Sequence, residues 1–215
     1  NLPPAAQCRV QVRASPQAVG NTGTTLSRTC QGLTRTASLS ATGISAYPVQ
    51  VSSGGDHMCV RLSDGAVRCW GNSGSGQAGP GGANVLPTAI PSLPPVSQVA
   101  AGGVHTCAIL TDNTVRCWGD GSYGNLGNGL TASGTTPVIP TGLGTVSQLA
   151  LGSSYSCALM TDQTVKCWGY NVYGQLGDGT QVQRNTPVTV PGLSGVTAIA
   201  TGAYHTCAVM TGGTV

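Results

Sequence analysis

A tripeptide, Cys-Trp-Gly, recurs along the chain and constrains the fold more than any other feature of the sequence. Its three copies lie at residues 69–71, 117–119 and 167–169, and each follows an earlier cysteine by ten positions. Self-similarity with a period of about 20 to 50 residues is typical of solenoids, propellers and other repeat architectures. The period separates residues 1–48, which lack the repeat, from a repeat region at residues 49–215. The repeat units are approximately 49–95, 96–145, 146–195 and an incomplete 196–215.

Each repeat unit has the pattern of short β-strands. The apolar run Val96–Ala101 ends at Gly102, and the next two runs fit a hairpin in which Cys107 faces Cys117. Composition agrees, because charged residues make up only 7% of the chain and helix-stabilising charge pairs are scarce. A transmembrane helix needs about 20 consecutive apolar residues, and no such run is present. We therefore predict an all-β protein without a transmembrane segment.

The nine cysteines have three interpretations: free thiols, metal ligands or disulfides. Zinc sites usually place about two to four residues between paired cysteines, with histidines at matching spacing, and that pattern is missing. Opposed positions on hairpin strands are close enough for a disulfide. We predict four bridges: Cys8–Cys30, Cys59–Cys69, Cys107–Cys117 and Cys157–Cys167. They indicate an oxidising compartment, hence a secreted or cell-surface protein, and they leave Cys207 unpaired.

These motifs resemble the regulator of chromosome condensation (RCC1) repeat family. The matching patterns are Ala-x-Gly-x-x-His-Thr-Cys-Ala at 100–108 and 200–208, Val-Arg/Lys-Cys-Trp-Gly in each repeat, and Gly-Gln-Leu-Gly-Asp-Gly at 174–179. The first repeat departs most, with Ala78 where the family has Leu, and only Asn171 fills the Asn of Trp-Gly-x-Asn. The resemblance implies a β-propeller with four strands in each blade. We expect a partial propeller of about three and a half blades, in a secreted, bacterial-type member of the family.

Residues 1–48 are interpreted as a separate N-terminal β segment. Apolar and polar residues alternate at 8–14 and again at 36–41, as is typical of half-buried strands. The strand around Val10 and Val12 has three interpretations. It could form a small β-module, close the propeller, or be donated to a neighbouring molecule.

Several side chains recur at fixed repeat positions. They are His57, His105, His205, Trp70, Trp118 and Trp168. Because Tyr155 replaces the histidine in one repeat, a structural role that ties strand to loop is favoured over catalysis or metal binding. The tryptophans are interpreted as blade-packing residues, with sugar stacking as the alternative. No nucleotide-binding or hydrolase motif is present, so we expect no catalytic residue, cofactor or metal.

The basic residues of the repeats also recur at one position. Arg68, Arg116 and Lys166 are interpreted as part of a solvated strand face, and a row that binds anions or polysaccharide is the alternative. The repeat region has five basic residues against six Asp, so nucleic-acid binding is not expected.

The sequence therefore predicts a non-enzymatic, extracellular structural or interaction protein. In the first hypothesis it assembles into a filament, as a surface fibre or adhesin subunit, and strand exchange with a neighbouring chain completes its last blade. The alternative is a monomeric protein- or glycan-binding propeller that is a fragment of a longer chain. The expected partner is protein, including copies of this chain, with a glycan as the alternative.

Overall fold

A computed structural model describes the backbone of residues 21–30, 33–42 and 46–214, and the side chains of residues 46–83 and 86–214. All regular structure in these residues is antiparallel β, which confirms the predicted all-β class. None of the described segments forms a helix that is long and apolar enough to cross a membrane. The chain divides into two compact units between Tyr47 and Pro48.

The first unit contains one described hairpin. Strand β1 (Asn21–Cys30) pairs with β2 (Leu33–Thr42), so that Asn21 faces Thr42. The segment 36–41, predicted to be a strand, lies within β2. Cys8, Val10 and Val12 are outside the described residues, and with them the predicted Cys8–Cys30 bridge and donor strand.

The second unit consists of three four-stranded sheets and one two-stranded sheet, each made of consecutive strands. Blade 1 contains β3 (Pro48–Ser53), β4 (His57–Leu62), β5 (Val67–Gly71) and β6 (Asn84–Ala89). Blade 2 contains β7 (Val96–Ala101), β8 (His105–Leu110), β9 (Val115–Gly119) and β10 (Gly134–Val138). Blade 3 contains β11 (Val146–Leu151), β12 (Tyr155–Met160), β13 (Val165–Gly169) and β14 (Arg184–Thr189). The half-blade contains β15 (Val196–Thr201) and β16 (Thr206–Met210). The partial propeller with an incomplete last blade is therefore as predicted.

The first strands of successive blades are joined by glutamine side chains. The Gln50 amide on β3 donates to the Val99 carbonyl oxygen and accepts from the Val99 amide, both at 3.0 Å. Gln148 on β11 makes the same pair of bonds to Ile199, at 3.0 and 2.9 Å. Because β3, β7, β11 and β15 contact one another in turn, they form the innermost layer of the partial ring.

The core lies between the blades rather than within one sheet. One apolar cluster joins blade 1 to blade 2 around Trp118, and a second joins blade 2 to blade 3 around Trp168. A third joins blade 3 to the half-blade around Leu176 and Val196. Each repeat therefore buries its apolar surface against the next repeat, as expected of quasi-one-dimensional repeat proteins.

Candidate functional site: the free strand edge and the tyrosine cluster

The Cys-Trp-Gly repeat builds a defined joint between neighbouring blades. Between blades 1 and 2, the carbonyl oxygen of Gln77 accepts from the Thr106 hydroxyl at 2.9 Å and from the Trp118 indole N–H at 3.1 Å. A carbonyl oxygen has two lone pairs, so these two donors satisfy it completely. The joint fastens a loop of one blade to the second and third strands of the next.

The second joint repeats this geometry and the third does so in part. Between blades 2 and 3, the carbonyl oxygen of Asn125 accepts from the Ser156 hydroxyl at 3.0 Å and the Trp168 indole at 2.9 Å. At the half-blade, the Gln175 carbonyl oxygen accepts from the Thr206 hydroxyl at 3.0 Å. Within residues 46–83 and 86–214, no indole reaches this third carbonyl.

Two of the three recurring histidines, His57 and His105, are buried members of these joints, whereas His205 is exposed. His57 Nε2 lies 2.7 Å from the Thr106 hydroxyl oxygen. Because that hydroxyl donates its hydrogen to Gln77, the imidazole must donate from Nε2, which leaves Nδ1 without a hydrogen. Burial lowers the pKa of His57 to about 4 despite the nearby Asp56 carboxylate.

The histidine of the second joint has the same kind of contact. His105 Nε2 lies 2.8 Å from the Ser156 hydroxyl, and burial lowers the pKa of His105 to about 3. The Nδ1 atoms of His57 and His105 are both buried without a partner, as suits rings that carry no hydrogen there. In the third joint Tyr155 takes this position, and its hydroxyl donates to the His205 carbonyl oxygen. Trp118 and Trp168 are fully buried, whereas Trp70 is half-buried.

Three of the predicted disulfides are formed. Cys59–Cys69, Cys107–Cys117 and Cys157–Cys167 each join the second and third strands of one blade, with the bridged Cα atoms 4.1 Å apart. Cys207 is free and exposed. The described residues contain no group of three or more His, Cys, Asp or Glu that could hold a metal ion.

A free strand edge and a cavity mark the half-blade. Strand β16 pairs with β15 alone, and no described residue pairs with its outer edge. Beside that edge lies a cavity of about 590 Å³, lined by Leu176 and Val190 of blade 3 and by Cys207 and Met210 of β16. The side-chain nitrogen of Gln175 is buried in this wall and has no hydrogen-bond partner.

Four tyrosine rings form an exposed cluster at the rim of this cavity. Tyr170 packs edge-to-face against Tyr123 at 4.9 Å and Tyr173 at 6.2 Å, and Tyr173 against Tyr204 at 5.3 Å between ring centroids. Tyr123, Tyr173 and Tyr204 expose 43%, 65% and 51% of their surface. We call Tyr123, Tyr170, Tyr173 and Tyr204 the tyrosine cluster. Sequence reasoning missed it, although Tyr123 and Tyr173 share one repeat position, 50 residues apart.

Tyr170 is neutral, and the loop that follows it contains one ion pair. Burial raises the pKa of the Tyr170 hydroxyl, and the neighbouring tyrosines raise it further, so the ring stays neutral. In the adjacent loop Arg184 Nε lies 2.7 Å from the Asp178 carboxylate. Burial alone would raise the pKa of Asp178, but hydrogen bonds from Thr180, Arg184 and Asn171 outweigh it and hold this pKa at about 2. Asp178 and Arg184 therefore form a pair with no net charge.

The recurring basic residues do not converge on one pocket. Arg68, Arg116 and Lys166 lie in three different blades, on β5, β9 and β13. The Lys166 ammonium donates to the Gly142 carbonyl oxygen at 2.9 Å, and Arg116 donates to the carbonyl oxygen of Val115 at 2.9 Å. The anion-binding row stays a hypothesis.

Sequence comparison identifies the repeats. The pattern described as Regulator of chromosome condensation (RCC1) repeat matches residues 64–109, 112–159 and 164–209. The chain belongs to the RCC1 repeat family. A second pattern with the same description matches residues 49–77, 96–125 and 146–175. No curated protein matches the chain significantly.

Several solved structures share the fold. Human WBSCR16 is 26% identical with a TM-score of 0.69, over 80% of this chain and 48% of its own. Prp20p from Saccharomyces cerevisiae is 25% identical with a TM-score of 0.68, over 77% of this chain and 43% of its own. The ectodomain of the Physcomitrella patens receptor kinase CR4 also shares the fold. It is 21% identical with a TM-score of 0.53, over 79% of this chain and 40% of its own. The chain spans less than half the length of these structures.

Proposed function

We propose that this RCC1-repeat protein is a non-enzymatic, secreted or cell-surface interaction protein that binds other polypeptides through the tyrosine cluster. The observation that carries the proposal is the contact of four tyrosine rings on one exposed surface, three of them between 43% and 65% exposed. Contiguous exposed aromatic surface marks interaction sites, and tyrosine is enriched in them. The three disulfides support an oxidising compartment.

The rings are held in place before any partner arrives. Each tyrosine packs edge-to-face on at least one other, so little side-chain freedom is lost on binding. Tyr173 is further fixed at its backbone, because its amide donates to the Gln175 side-chain oxygen at 3.0 Å. A rigid aromatic surface of this kind supplies large contact area at low entropic cost.

The geometry favours a polypeptide over a glycan. A sugar that stacks on tyrosine needs an open ring face, whereas here the edge of one ring covers part of the face of the next. The nearby Asp178 and Arg184 are engaged with each other. One relative of the same fold binds proteins: yeast RCC1 (Prp20p) is described with its binding properties to Gsp1p and histones, and it was also solved with Kap60.

Truncation of the cluster tests this function. Peptides selected from a displayed 12-residue library on the intact protein should lose affinity at least tenfold for the Tyr173→Ala/Tyr204→Ala double variant, as hot-spot truncation does. Leu86→Ala is the matched control, because Leu86 is 72% exposed on blade 1, and it should retain full affinity. Equal affinity of the double variant would contradict the proposal. The proposal would also be contradicted if the intact protein selected no peptide and instead bound a glycan array through Arg68, Arg116 and Lys166.

A second candidate is self-assembly, favoured by the free edge of β16. An unpaired edge is a template for another strand, and a surface fibre or adhesin subunit could use it for strand exchange with a neighbour. Light scattering of the 215-residue chain should then show filaments or oligomers, and deletion of residues 1–14 should remove them if Val10 and Val12 belong to the donor strand. A monomer at all concentrations would contradict assembly, and normal assembly of the deletion variant would contradict that donor.

A further inference from the structure

The tyrosine cluster presents corners between rings rather than open ring faces. Tyr170 contacts the other three rings, at interplanar angles of 69° to Tyr123, 73° to Tyr173 and 60° to Tyr204. Each contact sets the edge of one ring against the face of another, so a narrow apolar corner lies beside the contact. These corners are spread over loops of blade 2, blade 3 and the half-blade, because the four tyrosines lie between β9 and β10, between β13 and β14, and between β15 and β16.

The hydroxyl groups of the cluster have no protein partner within residues 46–83 and 86–214. In contrast, the hydroxyl of the buried Tyr155 donates to the His205 carbonyl oxygen. A neutral tyrosine hydroxyl is a hydrogen-bond donor, and burial with neighbouring tyrosines raises the pKa of Tyr170, so its hydroxyl keeps its hydrogen. The cluster therefore combines apolar corners with O–H groups that are free to donate to a partner.

The backbone amides at the centre of the cluster are already used inside the protein. The Tyr170 amide donates to the Ser154 carbonyl oxygen at 3.0 Å, and the Tyr173 amide donates to the Gln175 side-chain oxygen at 3.0 Å. A partner that adds as a β-strand pairs with free backbone groups along an edge, and these two amides are not free for such pairing. The surface therefore favours a partner that accepts hydrogen bonds from side-chain hydroxyls and brings few donors of its own.

A proline-rich segment in the polyproline II conformation has this chemistry. This left-handed helix has no internal hydrogen bonds, so all of its backbone carbonyl oxygens are free to accept. Proline has no backbone N–H and therefore brings no donor that must be satisfied. Its compact apolar ring fits a corner between two inclined aromatic rings, and its fixed φ reduces the entropy that is lost on binding. An α-helix differs, because most of its carbonyl oxygens are already paired.

We propose that the tyrosine cluster binds proline-rich segments in the polyproline II conformation. The inference rests on the proposed function, since it names the partner class of the same surface. Proline rings of the segment pack into the corners beside Tyr170, and hydroxyls of the cluster donate to the carbonyl oxygens of the segment. Residues three apart lie on the same side of a polyproline II helix, so a Pro-x-x-Pro segment places both prolines on the cluster. Aromatic-lined grooves bind such segments in this manner.

A pair of mirror-image peptides tests the inference. Dye-labelled decapeptides of L-proline and of D-proline have the same composition and differ only in the hand of the helix. Fluorescence anisotropy with the 215-residue protein should show binding of the L peptide that is at least tenfold tighter than binding of the D peptide. The Tyr173→Ala/Tyr204→Ala variant should lose at least tenfold in affinity for the L peptide, while the Leu86→Ala control should lose none.

Phenylalanine variants test the hydroxyl donors separately from the rings. Replacement of all four tyrosines of the cluster by phenylalanine keeps the aromatic surface and removes the O–H groups. This variant should bind the L-proline peptide about tenfold more weakly, as expected for the loss of two or more hydrogen bonds. Urea unfolding at pH 7 that matches the native protein shows that the variant is folded.

Three results would overturn the inference. Equal affinity for the L and D peptides would show apolar adsorption without recognition of the polyproline II helix. Undiminished binding of the L peptide to the phenylalanine variant would remove the hydrogen-bond match that selects this partner. The third result is no binding of the L-proline peptide although library-selected peptides bind and depend on Tyr173 and Tyr204, which leaves the proposed function standing. If no selected peptide depends on the cluster, the proposed function and the inference both fail.

Discussion

Acid should destabilise the propeller through its two buried neutral histidines. His57 and His105 have pKa values of about 4 and about 3 in the fold, against 6.5 for an ordinary histidine. Between about pH 6.5 and about pH 3 the unfolded chain therefore binds more protons than the folded chain, and stability falls as the pH decreases through this window. At pH 5 an unfolded histidine is almost fully protonated while both folded ones are neutral. Each of the two histidines then lowers the free energy of unfolding by about 2 kcal/mol relative to pH 7, and the two together lower it by about 4 kcal/mol.

The chain provides its own matched replacement for this test. In the third joint Tyr155 and Thr206 occupy the positions of His105 and Ser156, so His105→Tyr/Ser156→Thr transplants a natural pair that does not titrate in this range. Urea unfolding at pH 7 and pH 5 should show a loss of about 4 kcal/mol in the native protein and about 2 kcal/mol in the variant. The pKa values of Asp112, Asp162 and Asp178 are lowered in the fold, so these carboxylates stay ionised between pH 7 and pH 5 and do not add to the loss. An unchanged pH dependence in the variant would refute the neutral-histidine argument.

The joints, bridges and loops allow three further predictions, each read from urea unfolding at pH 7. Trp118→Phe should cost about 2–3 kcal/mol, because the Gln77 carbonyl loses a buried donor, whereas Trp70→Phe in the half-buried position should cost less than about 1.5 kcal/mol. Cys107→Ser/Cys117→Ser removes a disulfide with a sequence separation of 10 and should lower the free energy of unfolding by about 3 kcal/mol. The reduced native protein is the comparison. Asn171→Ala removes a fully buried amide that donates to the loop carbonyl oxygens of residues 180 and 182, and should cost about 1–3 kcal/mol. A loss under about 0.5 kcal/mol in the Trp118, Cys107/Cys117 or Asn171 variant would contradict the contacts that we assign.

Periodicity was sufficient to predict the blades and bridges because both are local consequences of the repeat. Cys107 and Cys117 belong to one hairpin, so their spacing alone places them opposite each other. The half-blade follows in the same way, since the fourth repeat contains the sequences of β15 and β16. Local pairing within a repeat is therefore readable from one sequence.

Contacts between repeats were not readable in this way. The bond between Gln50 and Val99 depends on how two sheets pack, although the glutamine recurs at positions 98 and 148. The tyrosine cluster combines two equivalent loop positions, Tyr123 and Tyr173, with Tyr170 and Tyr204 from positions that hold other residues in the remaining repeats. Such a cluster forms only when the ring geometry brings neighbouring blades together, and no spacing along the chain encodes it.

Amide hydrogen exchange with and without a peptide selected on the intact protein tests most directly that the tyrosine cluster binds polypeptides. Tyr173, whose amide donates to the Gln175 side-chain oxygen, reports on the cluster, and Leu86 on β6 of blade 1 is the control region. We expect the peptide to slow exchange in the loops that contain Tyr123, Tyr173 and Tyr204 and to leave β6 unchanged. Exchange in those loops that the peptide leaves unchanged, or protection confined to β6, would contradict the proposed function.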